Sequence, residues 1–165
     1  MTISSKFFFL LNYKWFLCNF VFVENLEETL NLGKKLSNKL NPQSIVLLQG
    51  PIGAGKTSFV QGIAKGLSIS EDITSPTFAL SHHYNSGKIP LIHLDLYRLE
   101  SVSSAKEVFF SEEEEAMQSQ AILVIEWPEL IEPVIENFWK IKISYAKNFG
   151  RHYEIKYPKN SLTLS

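Results

Sequence analysis

Gly50-Pro51-Ile52-Gly53-Ala54-Gly55-Lys56-Thr57 fits G-x-x-x-x-G-K-[ST], the loop that cradles phosphate groups in nucleoside triphosphatases. Glycines at 50, 53 and 55 let the backbone turn with φ > 0 and aim successive N–H groups inward, so the loop and the helix N-terminus beyond it form a pocket for anions. In that arrangement Lys56 reaches the β- and γ-phosphates and the Thr57 hydroxyl ligates Mg²⁺. The flanking residues suit the motif. Residues 44–49 run into the first glycine as a short apolar strand, and Phe59, Ile63 and Leu67 leave the threonine at helical spacing. Strand, loop and helix stand in the order that binding a nucleoside triphosphate requires.

Triphosphate chemistry needs a second element, an acid at the carboxyl end of a neighbouring strand. Residues 121–125 form a continuous apolar run that ends abruptly in Glu126, as a buried parallel strand ending at a ligand crevice should. Glu126 is therefore assigned to the magnesium shell with Thr57. Asp95, beside apolar strand positions in Leu91-Ile92-His93-Leu94-Asp95, has two readings: a residue that orients the attacking water, or a turn or helix-capping aspartate. Trp127-Pro128 is a stiff exit from the strand that ends at Glu126, with its indole either at the crevice or in the core. Ser75-Pro76-Thr77 offers two hydroxyls on a constrained turn, either a γ-phosphate sensor or an ordinary turn. His82, His83, His93 and His152 have no zinc-ligand spacing and no cysteine cluster beside them, so they are assigned to surface or core and no zinc is expected.

The elements that must position these groups follow from periodicity. Leu26, Leu30, Gly33, Leu36 and Leu40 describe an amphipathic helix over 25–40, stopped by Asn41-Pro42. A polar turn at 74–77 leads through Phe78-Ala79-Leu80 to a hairpin turn at 84–88 with strands on either side, 89–97 being a strand candidate, and 101–120 reads as a helix whose Glu112-Glu113-Glu114-Glu115 run is a solvated face or a helix start. Residues 139–145 and 152–157 read as a terminal strand pair joined by Lys147-Asn148-Phe149-Gly150. The sum is an α/β sheet with antiparallel additions.

The chain has 165 residues, room for one domain and no second catalytic one, and its formal net charge of −1 gives no basic footprint for avid, sequence-independent binding of nucleic acid. The one cysteine, Cys18, forms no intramolecular disulfide and suits a reducing compartment. The apolar run over 7–23 is interrupted by Asn12, Lys14 and Asn19, lacks a small-residue cleavage site and is short for a membrane span. Its end, Phe20-Val21-Phe22-Val23, reads as a strand. The expected organisation is an N-terminal apolar extension over 1–18 without catalytic function, which reads as an added strand, a membrane-touching segment or an upstream extension from a misplaced translation start, then a P-loop nucleotide-binding domain over 19–158 and a tail over 159–165, in a cytoplasmic protein.

Together these pieces resemble the bacterial TsaE (YjeE) family, small ATPases needed to make threonylcarbamoyladenosine in tRNA. The resemblance is carried by Glu28-Thr29 with Gly33, the loop from Gly50 to Thr57, Ser75-Pro76-Thr77-Phe78, His93-Leu94-Asp95-Leu96-Tyr97-Arg98-Leu99, Ile125-Glu126-Trp127-Pro128-Glu129 and Gly150-Arg151, and it spans roughly 20–157. It implies a three-layer P-loop NTPase fold with a mainly parallel central sheet. It places ATP on Ile52, Gly53, Ala54, Gly55, Lys56 and Thr57, and Mg²⁺ near Thr57 and Glu126. Functional roles are implied for Thr77, Asp95 and Trp127, with Asn25, Gly150 and Arg151 near the nucleotide. It further implies TsaB and TsaD as partners, ATP turnover resetting that transferase complex, and tRNA reached through the complex.

Three departures stand out: Pro51 where the family often has an acid, residues 100–110 without the expected Glu-rich, glycine-containing segment, and no counterpart for the apolar residues before Asn19. A GTPase reading lacks an Asn-Lys-x-Asp element after the loop, since Asn38-Lys39-Leu40-Asn41 precedes it and ends in the wrong residue. A small-molecule kinase would need an acceptor pocket and lid that the chain does not offer, and a non-hydrolysing nucleotide-gated adaptor is the alternative from a different class.

Overall fold

In a computed structural model, residues 15–147 and 149–158 are described, with the side chains of 15–17 excepted. Most of the extension expected over 1–18, and the tail over 159–165, lie outside them.

Strand β1 (Trp15–Val23) leads into helix α1 (Leu26–Ser37). The turn between them is set by side chains: Asn25 Oδ1 accepts from the Glu28 amide at 3.0 Å, and Glu28 Oε2 accepts from the Glu24 amide at 2.7 Å. Glu27 and Glu28 in the first turn and Lys34 and Lys35 in the last complement the helix dipole. Then follow β2 (Ile45–Gln49), α2 (Lys56–Gly66), β3 (Ser81–Tyr84), β4 (Leu91–Asp95), α3 (Val102–Ser119), β5 (Ile122–Glu126), two 3-10 turns, β6 (Trp139–Tyr145) and β7 (Arg151–Pro158).

Among the described residues, seven strands make one sheet in the order β1-β7-β6-β2-β5-β4-β3. The central four, β6-β2-β5-β4, run parallel, while β3, β7 and β1 add antiparallel edges. Every residue of β4 and β5 is buried, as strands covered on both faces require. Alternation splits the core in two. Val46, Leu48, Val124 and Ile141 pack with Leu36, Phe59 and Ile63 of α1 and α2; Leu47, Leu123, Ile125 and Leu94 pack with Ala105, Phe109 and Ala116 of α3 on the other face. The result is a three-layer α/β fold with a parallel centre and antiparallel additions.

The hairpin expected around 84–88 is present as β3 and β4, with its first strand beginning at Ser81. Residues 78–80 form a turn: the Leu80 amide donates to the Pro76 carbonyl at 2.7 Å, Leu80 takes φ 68°, and Phe78 is 89% exposed. β-Rich residue types there are outweighed by the carbonyl of Pro76, which captures the amide a strand would need. The acidic run also sits within α3 and not wholly in solvent, because Glu112 accepts from Ser81 Oγ at 2.6 Å and meets His83 Nε2 at 2.8 Å.

Candidate functional site

The site lies at the carboxyl ends of β2, β5 and β4, and strand order explains why. With β5 between β2 and β4, Leu48 of β2 is the register partner of Glu126, and Glu126 is the partner of Asp95. Two acids from separate stretches of chain thus end beside the loop that leaves β2. Both are buried, at 2% exposure for Asp95 and 3% for Glu126.

The loop makes its turn at Gly53 (φ 73°) and Gly55 (φ 98°), the latter being the N-cap of α2 with no side chain capping the helix. Gly50 lies near the extended region at φ 159°, and steric approach is what demands glycine there: a Cβ would stand 2.6 Å from the Ile143 carbonyl oxygen. The loop is braced from outside. Tyr145 donates its hydroxyl to the Ile52 carbonyl, and Arg151 Nε donates to the Ala54 carbonyl at 3.3 Å while its guanidinium stacks 4.7 Å from the Tyr145 ring.

Lys56 is buried, its Nζ donating to the carbonyls of Gly50 (2.9 Å) and Pro51 (3.1 Å) and standing 4.0 Å from the centre of the Trp127 ring. Burial pushes its pKa below 10.5, and the charges of Glu126, Asp95 and Glu129 pull it part of the way back. Thr57 Oγ1 donates to Glu126 Oε1 at 2.8 Å, and the same oxygen lies 2.9 Å from His93 Nε2. Asp95 Oδ2 accepts from Thr77 Oγ1 at 2.6 Å and Ser75 Oγ at 3.4 Å, while its Oδ1 accepts from the Tyr97 amide at 2.9 Å.

Trp127 takes the left-handed conformation (φ 57°, ψ 55°), uncommon for a bulky residue, and its ring is tilted against Tyr97 at 4.9 Å. A cavity of about 420 Å³ is lined by Ile52, Gly53, Gly55, Lys56, Thr57, Ser58, Ser75, Thr77, Asp95, Tyr97, Glu126 and Trp127. Of the residues singled out from sequence, Ala54 is buried beneath the loop, and Asn25, Gly150 and Arg151 are not among the lining residues. Asn25 caps α1, and Gly150 packs on Phe22 and Val23.

Residue types and spacing assign no site role to Tyr97, Ser58 and Tyr145, and place His93 at the surface or in the core. For His93 and Tyr97 a signal existed: residues 93, 95 and 97 alternate with apolar Leu94 and Leu96, placing His93 and Asp95 on one face of β4.

The donor set fits a hard divalent cation, since a hydroxyl and a carboxylate oxygen converge within 2.8 Å and Mg²⁺ needs few protein ligands when a substrate phosphate supplies others. It fits a triphosphate as well, through Lys56 and the uncapped start of α2.

The family model for the threonylcarbamoyl adenosine biosynthesis protein TsaE matches residues 23–153. The chain belongs to the TsaE family. Among TsaE relatives, the tRNA threonylcarbamoyladenosine biosynthesis protein TsaE of a Nostoc species is 43% identical over 137 residues, 82% of this chain and 83% of the relative. The TsaE of Bacillus subtilis is 38% identical over 108 residues, 66% and 65% of the two chains. The crystal structure of YdiB from the same bacterium superposes with a TM-score of 0.72 at 28% identity, covering 87% of this chain and 88% of that one. The family match begins at Val23, inside β1, and ends at Tyr153, inside β7.

Proposed function

We propose that this chain is a Mg²⁺-dependent ATPase that acts in forming threonylcarbamoyladenosine in tRNA, its turnover resetting a TsaB–TsaD transferase complex. The observation that carries the chemistry is the 2.8 Å bond between Thr57 and Glu126 at the foot of a glycine loop, with Asp95 on the next strand. Family membership supports the pathway, and the partners are part of the proposal.

In this reading the N–H groups of the loop and the start of α2 hold the phosphates, and Lys56 leaves the Gly50 and Pro51 carbonyls to pair with the β- and γ-oxygens. When bound by Thr57 and Glu126, Mg²⁺ supplies neutralisation of the charge on those oxygens. Asp95 orients the water for in-line attack. Thr77 Oγ1 holds Oδ2 of this carboxylate and the Tyr97 amide holds Oδ1, so a shift of the Ser75-Pro76-Thr77 turn changes how the carboxylate meets water. That coupling makes basal turnover slow and gives the Ser75-Pro76-Thr77 turn a position that depends on the γ-phosphate. The chain does not itself transfer the threonylcarbamoyl group.

The test is phosphate release from ATP by the purified chain, alone and with TsaB–TsaD, alongside multiple-turnover modification of tRNA. Glu126→Ala is expected to weaken Mg²⁺-dependent ATP binding and hydrolysis together, and Asp95→Ala to spare binding while slowing turnover. The reverse pattern would exchange the two roles. Nucleotide binding that supports modification with no phosphate release under any condition would replace the ATPase by a nucleotide-gated adaptor.

A further inference from the structure

His93 is wholly buried in the middle of β4, between Ile92 and Leu94 on a strand where every residue is buried. Such a position is filled most stably by an apolar side chain, because a buried polar atom without a partner loses its hydration and receives nothing in exchange. One ring nitrogen meets that condition: among the described residues, Nδ1 of His93 is a buried polar atom without a hydrogen-bond partner. The other, Nε2, lies 2.9 Å from Glu126 Oε1, the oxygen that also accepts from Thr57. An ionised carboxylate only accepts, so the ring hydrogen that makes this contact sits on Nε2.

We propose that His93 is a positioning residue for the cation site: its Nε2–H fixes the Glu126 carboxylate in the orientation that meets Thr57. The inference rests on the Mg²⁺-ATPase reading and deepens it. Glu126 is the last residue of β5 and has a flexible side chain, while Thr57 stands at the start of α2, 69 residues away in the chain. Thr57 is itself called on as a ligand, so a carboxylate held by Thr57 alone would be free to turn whenever that hydroxyl reorients. The imidazole is a rigid donor on the adjacent strand, locked by packing on every side. Outer partners of this kind orient metal-binding carboxylates, and their loss lowers metal affinity without removing a ligand.

The experiment uses the full chain with a non-hydrolysable ATP analogue and Mn²⁺ as the spectroscopic stand-in for Mg²⁺, free Mn²⁺ being followed by electron paramagnetic resonance. Analogue affinity is measured separately in EDTA, and each variant's melting curve checks folding. His93→Met keeps an apolar volume and removes the donor, so Mn²⁺ affinity is expected to fall about 10–100-fold with metal-free nucleotide affinity unchanged. His93→Gln places an amide N–H near the Nε2 position and is expected to restore Mn²⁺ affinity to within about threefold of the unaltered chain. Should His93→Met fail to fold, His93→Asn takes its place, since its shorter amide does not reach Glu126. Equal Mn²⁺ affinity in the Met (or Asn) variant and the unaltered chain, or equal loss in that variant and the Gln variant, would overturn the inference while leaving the ATPase reading intact. An unaltered chain that takes up no Mn²⁺ with the analogue would overturn both.

Discussion

Lys56 is held by the loop it serves, bonded to two of its carbonyls and set over the Trp127 face. Because burial lowers its pKa below 10.5, the free protein loses this charge at a lower pH than an exposed lysine would, whereas phosphate oxygens favour the protonated form. ATP affinity is therefore expected to be full below the lowered pKa and to fall as pH rises through it, with proton uptake on binding in that range. Calorimetry in buffers of different ionisation enthalpy checks this, and Lys56→Ala should weaken binding about 10–100-fold and abolish the proton uptake. Stability has the opposite sign. Between the lowered pKa and 10.5 the unfolded chain binds the more protons, so this group makes stability rise with pH there. Trp127 is the natural reporter: moving the Lys56 ammonium off its ring should change its emission when Mg²⁺-ATP is added to a chain with Trp15→Phe and Trp139→Phe. Unchanged emission alongside binding measured independently would remove Trp127 from the responding part of the site.

At the scale of elements, α1 and α2 approach so closely that backbone meets backbone. A Cβ on Gly62 would land on the Leu30 carbonyl oxygen, and one on Gly33 on the carbonyl oxygen of Phe59. Neither obstacle is a side-chain tip that can rotate away, so the helices must separate to admit a methyl group. Gly62→Ala is expected to cost about 1–3 kcal/mol, a fall in Tm of about 2–4 °C for each of them, read by thermal denaturation. Tolerance of the substitution without a shift would show that the interface has slack. The helical reading of 25–40 placed Gly33 on the right face, because the period of 3.6 is a local property. That this glycine faces Phe59 and Gly62 in another helix was not visible, since nothing in either segment alone specifies its neighbour.

For the whole molecule the open question is where the foldable unit begins. Among the described residues β1 is an edge strand, paired on one side with β7 over Trp15 to Val23. A chain starting at Asn19 keeps the rungs from Asn19 to Val23, the 2.6 Å bond from Asn19 Nδ2 to the Tyr157 hydroxyl, and the buried Val23. It is expected to remain folded and to bind ATP as the full chain does, judged by thermal melting and titration. Insolubility or lost binding would place the earlier residues in the core. β7, β6 and β2 stand between β1 and the strands that carry Glu126 and Asp95, and the rung kept at Val23 is the one that pairs with Arg151, which braces the phosphate loop.

What the sequence determined by itself is local. The strand, loop and helix around Lys56 rest on glycine conformations, an apolar run and a helical period, all acting within about ten residues. The buried character of β5 and the acid at its end were legible for the same reason, and so was the absence of a broad basic charge. Tertiary structure alone decided that β5 lies between β2 and β4, which sets Asp95, Glu126 and Thr57 side by side across 31 to 69 positions of sequence. It likewise decided the resting place of Lys56 against Trp127, the bracing of the loop by Tyr145 and Arg151, and the conversion of a plain strand histidine into the partner of Glu126. Those facts depend on strand order and register. They are settled by burying both faces of one sheet at once, a condition on the whole chain that no segment carries alone.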